Sequence, residues 1–115
     1  MNKTVSVAPM MDCTDKHENY FLSLISKNIQ LYTEMIVANA IIKGDRKKLL
    51  SFKSIPNHVT LQIGGSNPKE LAEACKISQD YGYKEINLNL GCPSKKVQKN
   101  KFGACLMQEP NLVAK

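Results

Sequence analysis

Apolar residues gather in four short runs, separated by longer stretches in which apolar and polar positions alternate at helical spacing. The runs are Val5–Ala8, Leu31–Thr33, Val59–Ile63 and Glu85–Leu90, and they begin 26, 28 and 26 residues apart. No residue-level repeat accompanies this period. A spacing of this size accommodates a strand, a helix and two connections. Between the runs, Tyr20, Phe21, Leu24 and Ile25 form an apolar stripe behind the polar start Thr14-Asp15, which predicts a first helix. A second helix is expected around Ile41 to Leu50, interrupted by Gly44. The clearest helix start is Asn67-Pro68-Lys69-Glu70: a capping Asn, Pro at the first helical position, and an acid three residues after the cap. It leads into Leu71, Ala74, Cys75 and Ile77 on one face, and Gly82 ends it.

The predicted order is βαβαβαβ, followed by a basic loop and a helix start at Pro110. Such alternation implies parallel strands with right-handed crossovers. An open doubly wound sheet and a (β/α)8 barrel both satisfy it. Four such units make roughly half of a barrel of about 250 residues. The last helix has only begun at the final residue, so the pattern predicts a piece of something larger.

Composition narrows the class without choosing a function. Hydrophobic residues make up 43% and charged residues 23%, ordinary globular values that argue against disorder or collagen-like sequence. No apolar run approaches the roughly 18 residues of a membrane span, and the N-terminus lacks a signal-peptide pattern. A soluble cytoplasmic protein with no membrane partner is expected. The net charge of +6 favours a polyanionic partner. It is uneven: no acid lies between Glu85 and Glu109, where Lys95, Lys96, Lys99 and Lys101 fall. A solvated loop and a phosphate-binding track both account for this cluster. Cys13, Cys75, Cys92 and Cys105 show no CxxC pairing, and with only His17 and His58 no metal site is expected.

Ligands of parallel α/β folds meet the carboxyl ends of the strands. Those positions are Ala8 to Asp12, Thr33 to Met35, Gln62 to Ser66, and Asn87 to Ser94. In the last, alternation sets Asn87 and Asn89 opposite Leu88 and Leu90. Gly91 permits a sharp exit, and Pro93 stiffens the loop that carries Cys92. A cysteine there is a candidate for chemistry, whereas Cys75, on an apolar helix face, reads as a small buried hydrophobe.

Ala8-Pro9-Met10, Tyr32-Thr33-Glu34-Met35, Leu61 to Ser66, Asn87 to Ser94 and Phe102-Gly103-Ala104-Cys105-Leu106-Met107 together resemble the tRNA-dihydrouridine synthases. The blocks stand in family order across nearly the whole chain, and the last is most similar to the bacterial A-type branch. The resemblance implies the N-terminal half of a (β/α)8 TIM barrel, a partial FMN-binding catalytic domain spanning residues 1–115. It implies FMN-dependent reduction of uridine to 5,6-dihydrouridine in the tRNA D-loop, with NADPH as electron donor. By the same resemblance, Pro9, Met10 and Met11 would line the flavin and Gln62 would hydrogen-bond it. Cys92 would protonate C5 of the uracil, and Asn89 would contact the tRNA. With a tRNA substrate, Lys95, Lys96, Lys99 and Lys101 would contact its backbone phosphates.

A thiol with an ordinary pKa is protonated at neutral pH, which suits a general acid. A nucleophilic thiolate would need a base, and neither histidine is near Cys92 in sequence. The family usually has Arg where Asn19 stands here. Its later flavin-contacting Lys and His, its phosphate loops and its helical tRNA-binding domain have no counterpart in the chain. A half-barrel would leave bare sheet edges, so a complementary half-barrel or self-association is expected. The competing readings are an FMN barrel acting on a free pyrimidine, of the dihydroorotate-dehydrogenase kind, and a non-catalytic tRNA-binding remnant.

Overall fold

Parallel pairing joins every strand to its neighbours in the computed structural model, which describes residues 5–52 and 58–115. The strands are β1 (Val5–Ser6), β2 (Ile29–Tyr32), β3 (Ile36–Val37), β4 (Val59–Gly64) and β5 (Ile86–Leu88). β1 pairs with β2, and β2 pairs with the first half of β4 through Leu31↔Val59 and Tyr32↔Thr60. β3 pairs with the second half of β4 through Ile36↔Ile63 and Val37↔Gly64. The other side of β4 is taken by β5 over Leu61 to Ile63, so β3 must lie on the β2 side. Thus β2 and β3 are two stretches of one barrel strand, broken at Thr33 to Met35. Spatial order then follows chain order, and the architecture is the N-terminal half of a TIM barrel.

The helices are α1 (Lys16–Ile25), α2 (Ala38–Lys43), α3 (Arg46–Leu50), α4 (Pro68–Gln79), α5 (Lys95–Lys99) and α6 (Pro110–Val113), with a 3₁₀ segment at Gly103–Gln108. Local chemistry explains their starts. Asp15 caps α1 by accepting from the N–H groups of His17 and Glu18, and Asn67 caps α4 through Lys69 and Glu70, ahead of Pro68. Gly82, at φ +91, turns the chain after α4 as expected. The single helix expected from Ile41 to Leu50 is two helices instead. It breaks at Gly44, and Asp45 caps the second piece by accepting from Lys48 N–H.

Strand β4 is buried throughout and organises the core. Val59, Leu61 and Ile63 pack with Leu31, Ala38, Ile41, Leu50, Ala74 and Tyr83 between sheet and helices. Each fully buried aliphatic side chain there contributes about 2 kcal/mol. On the opposite face the strand is polar: Thr60 accepts from Gln30 Nε2 at 2.8 Å, and Gln62 meets Asn87. A second, smaller cluster of Val97, Phe102 and Leu106 lies under the segment after β5, with Met35, Val37, Leu90 and Cys92 against it.

The apolar stripe of Tyr20, Phe21, Leu24 and Ile25 lies on α1, the helix expected from it, but Phe21, Leu24 and Ile25 are more than half exposed. Asn19 and Ser23 are the buried residues of α1, and Leu22 packs partly on the core. A barrel helix touches its sheet along a narrow strip, while its flanks face neighbouring helices.

Candidate active site

The ends of β1, β2, β4 and β5 converge on a cleft of about 260 Å³ lined by Pro9, Met11, Met35, Gln62, Asn89 and Cys92. Pro9, Met11, Gln62, Asn89 and Cys92, assigned to different strand ends by sequence, are therefore brought together. Met10 is not part of this lining. It closes the turn after β1: its N–H donates to Thr14 Oγ1 at 2.9 Å, and its carbonyl accepts from Cys13 and Thr14. Asp12, at φ +61, completes the turn, and its N–H donates to the Glu34 carboxylate from the end of β2. Neither Met35 nor Glu34 was assigned a role from sequence, although both stand in the Thr33-Glu34-Met35 strand end.

The loop carrying Cys92 is held from two sides. Asn89 Oδ1 accepts from Gly91 N–H at 3.1 Å and from Cys92 N–H at 2.9 Å. The Cys92 carbonyl accepts from Ala104 N–H at 3.0 Å. This second contact requires glycine at 103: its φ is +63, and a Cβ would sit 2.7 Å from the Cys92 carbonyl oxygen and 2.5 Å from Val97 Cγ1. The Phe102-Gly103-Ala104 block thus braces the Cys92 loop from about ten residues downstream.

The carboxamides facing the cleft bond to one another. Asn89 Nδ2 donates to Gln62 Oε1 at 2.9 Å, and Gln62 Nε2 donates to Asn87 Oδ1 at 2.7 Å. Gln62 retains one amide hydrogen and one lone pair. Asn89 retains one amide hydrogen. Both can still serve a ligand in the cleft.

Cys92 departs from the ordinary thiol expected. Hydrogen bonds from the Ser94 backbone N–H and from its hydroxyl lower the thiol pKa, against a smaller rise from burial. The Ser94 hydroxyl oxygen also caps α5 by accepting from Val97 N–H. For Cys75, by contrast, burial raises the thiol pKa, as befits a packed side chain on α4. Neither histidine lines the Cys92 cleft; His58 pairs with Glu85 at 2.9 Å.

A second cleft of about 570 Å³ shares Met11, Met35 and Cys92 with the first and is otherwise lined by Asn39, Ser66, Glu70, Ser94, Lys96 and their neighbours. The thiol thus stands where the two meet. The basic segment is not the loop expected: Lys95–Lys99 is a short helix, and Lys101 follows at φ +56. Val97 is buried beneath it, while Lys95, Lys96, Lys99 and Lys101 are exposed. The other polar side chains brace the backbone, Gln98 on the Pro93 carbonyl and Asn100 on the Lys96 carbonyl. Only Lys96 of the four reaches the cleft lining. Asn19, where the resemblance expects Arg, is 5% exposed and donates to the carbonyls of Thr14 and Tyr32; its Oδ1 is buried without a partner.

Sequence comparison gives the family of the chain. The dihydrouridine synthase (Dus) family profile matches residues 6–115. Proteins called tRNA-dihydrouridine(20/20a) synthase are similar over 110 residues, or 96% of this chain: 57% identical in Synechocystis sp. and 56% in both Xanthomonas campestris and Vibrio cholerae. The chain spans about a third of the length of these curated relatives. No described helix is long and apolar enough to cross a membrane. With its half-barrel, its strand-end cleft and this similarity along almost its whole length, the chain belongs to the dihydrouridine synthase family.

Proposed function

We propose that this chain is the part of a cytoplasmic tRNA-dihydrouridine synthase that holds the flavin ring and delivers the proton to a D-loop uridine. The observation that carries this reading is the meeting of Pro9, Met11, Gln62, Asn89 and Cys92 around one cleft. The lining suits the ring of FMN. Pro9, Met11 and Met35 offer an apolar wall, and Gln62 keeps an amide hydrogen for the ring edge, with Met10 contributing through the turn it closes. This lining includes no Lys or Arg, so it suits the ring of FMN and not its phosphate. When bound, FMN reduced by NADPH would supply the hydride for C6 of the uracil.

The residues of this chain do the rest. Uridine must leave the tRNA stack to reach a cleft at the strand ends, at a cost of a few kcal/mol. Exposed Lys95, Lys96, Lys99 and Lys101 can offset part of that cost on the phosphates, in a salt-sensitive manner. Cys92 donates its thiol proton to C5. The thiolate left behind is stabilised by the Ser94 N–H and hydroxyl as it forms. Asn89, beside the thiol, keeps one amide hydrogen for the substrate. An exposed lysine track beside the larger cleft favours tRNA over a free pyrimidine, which would need no such track.

The test uses a chimera in which residues 6–115 replace the matching third of the Synechocystis relative. Cys92→Ala should retain flavin and its reduction by NADPH, yet stop dihydrouridine formation in unmodified tRNA. Undiminished turnover would sink the proton-donor role. Reduction of free orotate or uridine, but not tRNA, would favour the free-pyrimidine reading instead.

A further inference from the structure

We propose that Asn89 is a positioning residue for Cys92, itself oriented by a one-directional carboxamide chain that begins at Asn87 and passes through Gln62. The inference rests on Cys92 being the reactive thiol of the proposed function, and it concerns how the thiol is aimed. The backbone N–H groups of Gly91 and Cys92 can only donate, so Asn89 must present Oδ1 to them. Its Nδ2 then faces Gln62, which must answer with Oε1. Gln62 Nε2 is thereby turned to Asn87, which must answer with Oδ1. Every carboxamide orientation follows from the loop backbone, and none can invert without leaving two donors or two acceptors face to face.

The chain crosses between strands. Gln62 lies on β4, Asn87 on the neighbouring β5, and Asn89 just beyond β5, where its own N–H donates to the Ile63 carbonyl at 2.9 Å. Rotation of the Asn89 side chain would release both loop N–H groups at once. It would leave the Cys92 backbone held through its carbonyl, by Ala104, with Ser94 still at the thiol. Asn87, which has no hydrogen bond to the loop, therefore acts on the thiol through two intermediates.

Thiol chemistry tests this without turnover. The chain is alkylated with iodoacetamide over a pH series and each cysteine is followed by mass spectrometry. Exposed Cys13 serves as reference, and half-buried Cys75 reports opening of the fold. Asn89→Ala should move the Cys92 profile to higher pH, slowing its alkylation about tenfold relative to Cys13 at neutral pH, the effect of one pH unit in thiolate fraction. Asn87→Ala should move it the same way by less, and Asn87→Asp, which keeps the acceptor for Gln62, should restore the wild-type profile. A Cys92 profile unmoved by both alanine variants overturns the proposal. Should Asn89→Ala open Cys75, the half-buried Asn87 decides: a difference between its Ala and Asp variants supports the chain, and identical profiles overturn it. Because no uridine reduction is read, this result stands apart from that of Cys92→Ala in the chimera.

Discussion

A thiol that gives up a proton must have its thiolate stabilised, and Ser94 is built to do so. Its N–H and hydroxyl lower the Cys92 pKa, and the same hydroxyl oxygen is engaged by Val97 N–H, which directs its hydrogen away from the helix. The consequence for pH follows by sign. On the proposed role, the acid form of Cys92 delivers the proton, so uridine reduction by the chimera should fall as pH rises through the Cys92 pKa. Ser94→Ala removes the hydroxyl contact and keeps the backbone N–H, so the alkaline limb of the pH–rate profile of the chimera should move upward by part of the lowering. A limb that stays in place would mean another group sets it. The place of Cys92 after a strand and between Gly91 and Pro93 was readable from sequence. The role of Ser94 was not, because it depends on a turn that brings the second residue after the thiol back onto it. Asn19 is the converse case: its difference from the family Arg is visible in sequence, but its burial with an unpartnered Oδ1 is visible only in the fold.

Short elements carry the site. The 3₁₀ segment at Gly103–Gln108 and α5 have little helical stability of their own and are held by Val97, Phe102 and Leu106. Gly103→Ala places a methyl group against Val97 and the Cys92 carbonyl in a left-handed conformation. It should cost about 1–3 kcal/mol by overpacking alone, measured as a lower denaturation midpoint. Uridine reduction should fall with it, through displacement of the Cys92 loop. The lysines of α5, with Lys101 just beyond it, invite a second element-scale test. Replacing Lys95, Lys96, Lys99 and Lys101 by Glu in the chimera should weaken tRNA binding and flatten its log–log salt slope by up to about 3. Flavin content should be unchanged. A slope that does not move would reduce the basic helix to a solvated surface. The strands, α4 and its caps were readable from apolar runs and capping chemistry. The split of α2 from α3, the separate β3 and the helical form of α5 were not. Each hinges on one or two backbone positions whose geometry is settled by packing.

At the scale of the molecule, the α1 face is the prominent feature. Val5, Phe21, Leu24 and Ile25 are each more than half exposed, next to a β1 edge that pairs only with β2 among the described residues. Apolar surface of this kind marks an interface or a liability to associate. The chain studied alone should therefore self-associate, and Leu24→Glu should reduce that association in sedimentation experiments. Because Leu24 is 69% exposed, stability should change by no more than about 0.5 kcal/mol. Equal association in the variant would place the contact elsewhere.

The sequence by itself determined the alternation of strands and helices, the family, and the strand ends where polar chemistry gathers. These depend on local periodicity, capping and short contiguous blocks, which each segment carries within itself. Only the tertiary structure decided that Asn87, Gln62 and Asn89 form a directional chain to the Cys92 loop, that Gly103 must be small to close that loop, and that the α1 stripe faces outward. Those outcomes join residues some ten to thirty positions apart. Hydrogen-bond direction and steric exclusion act there between neighbours that exist only once the parallel strands lie side by side.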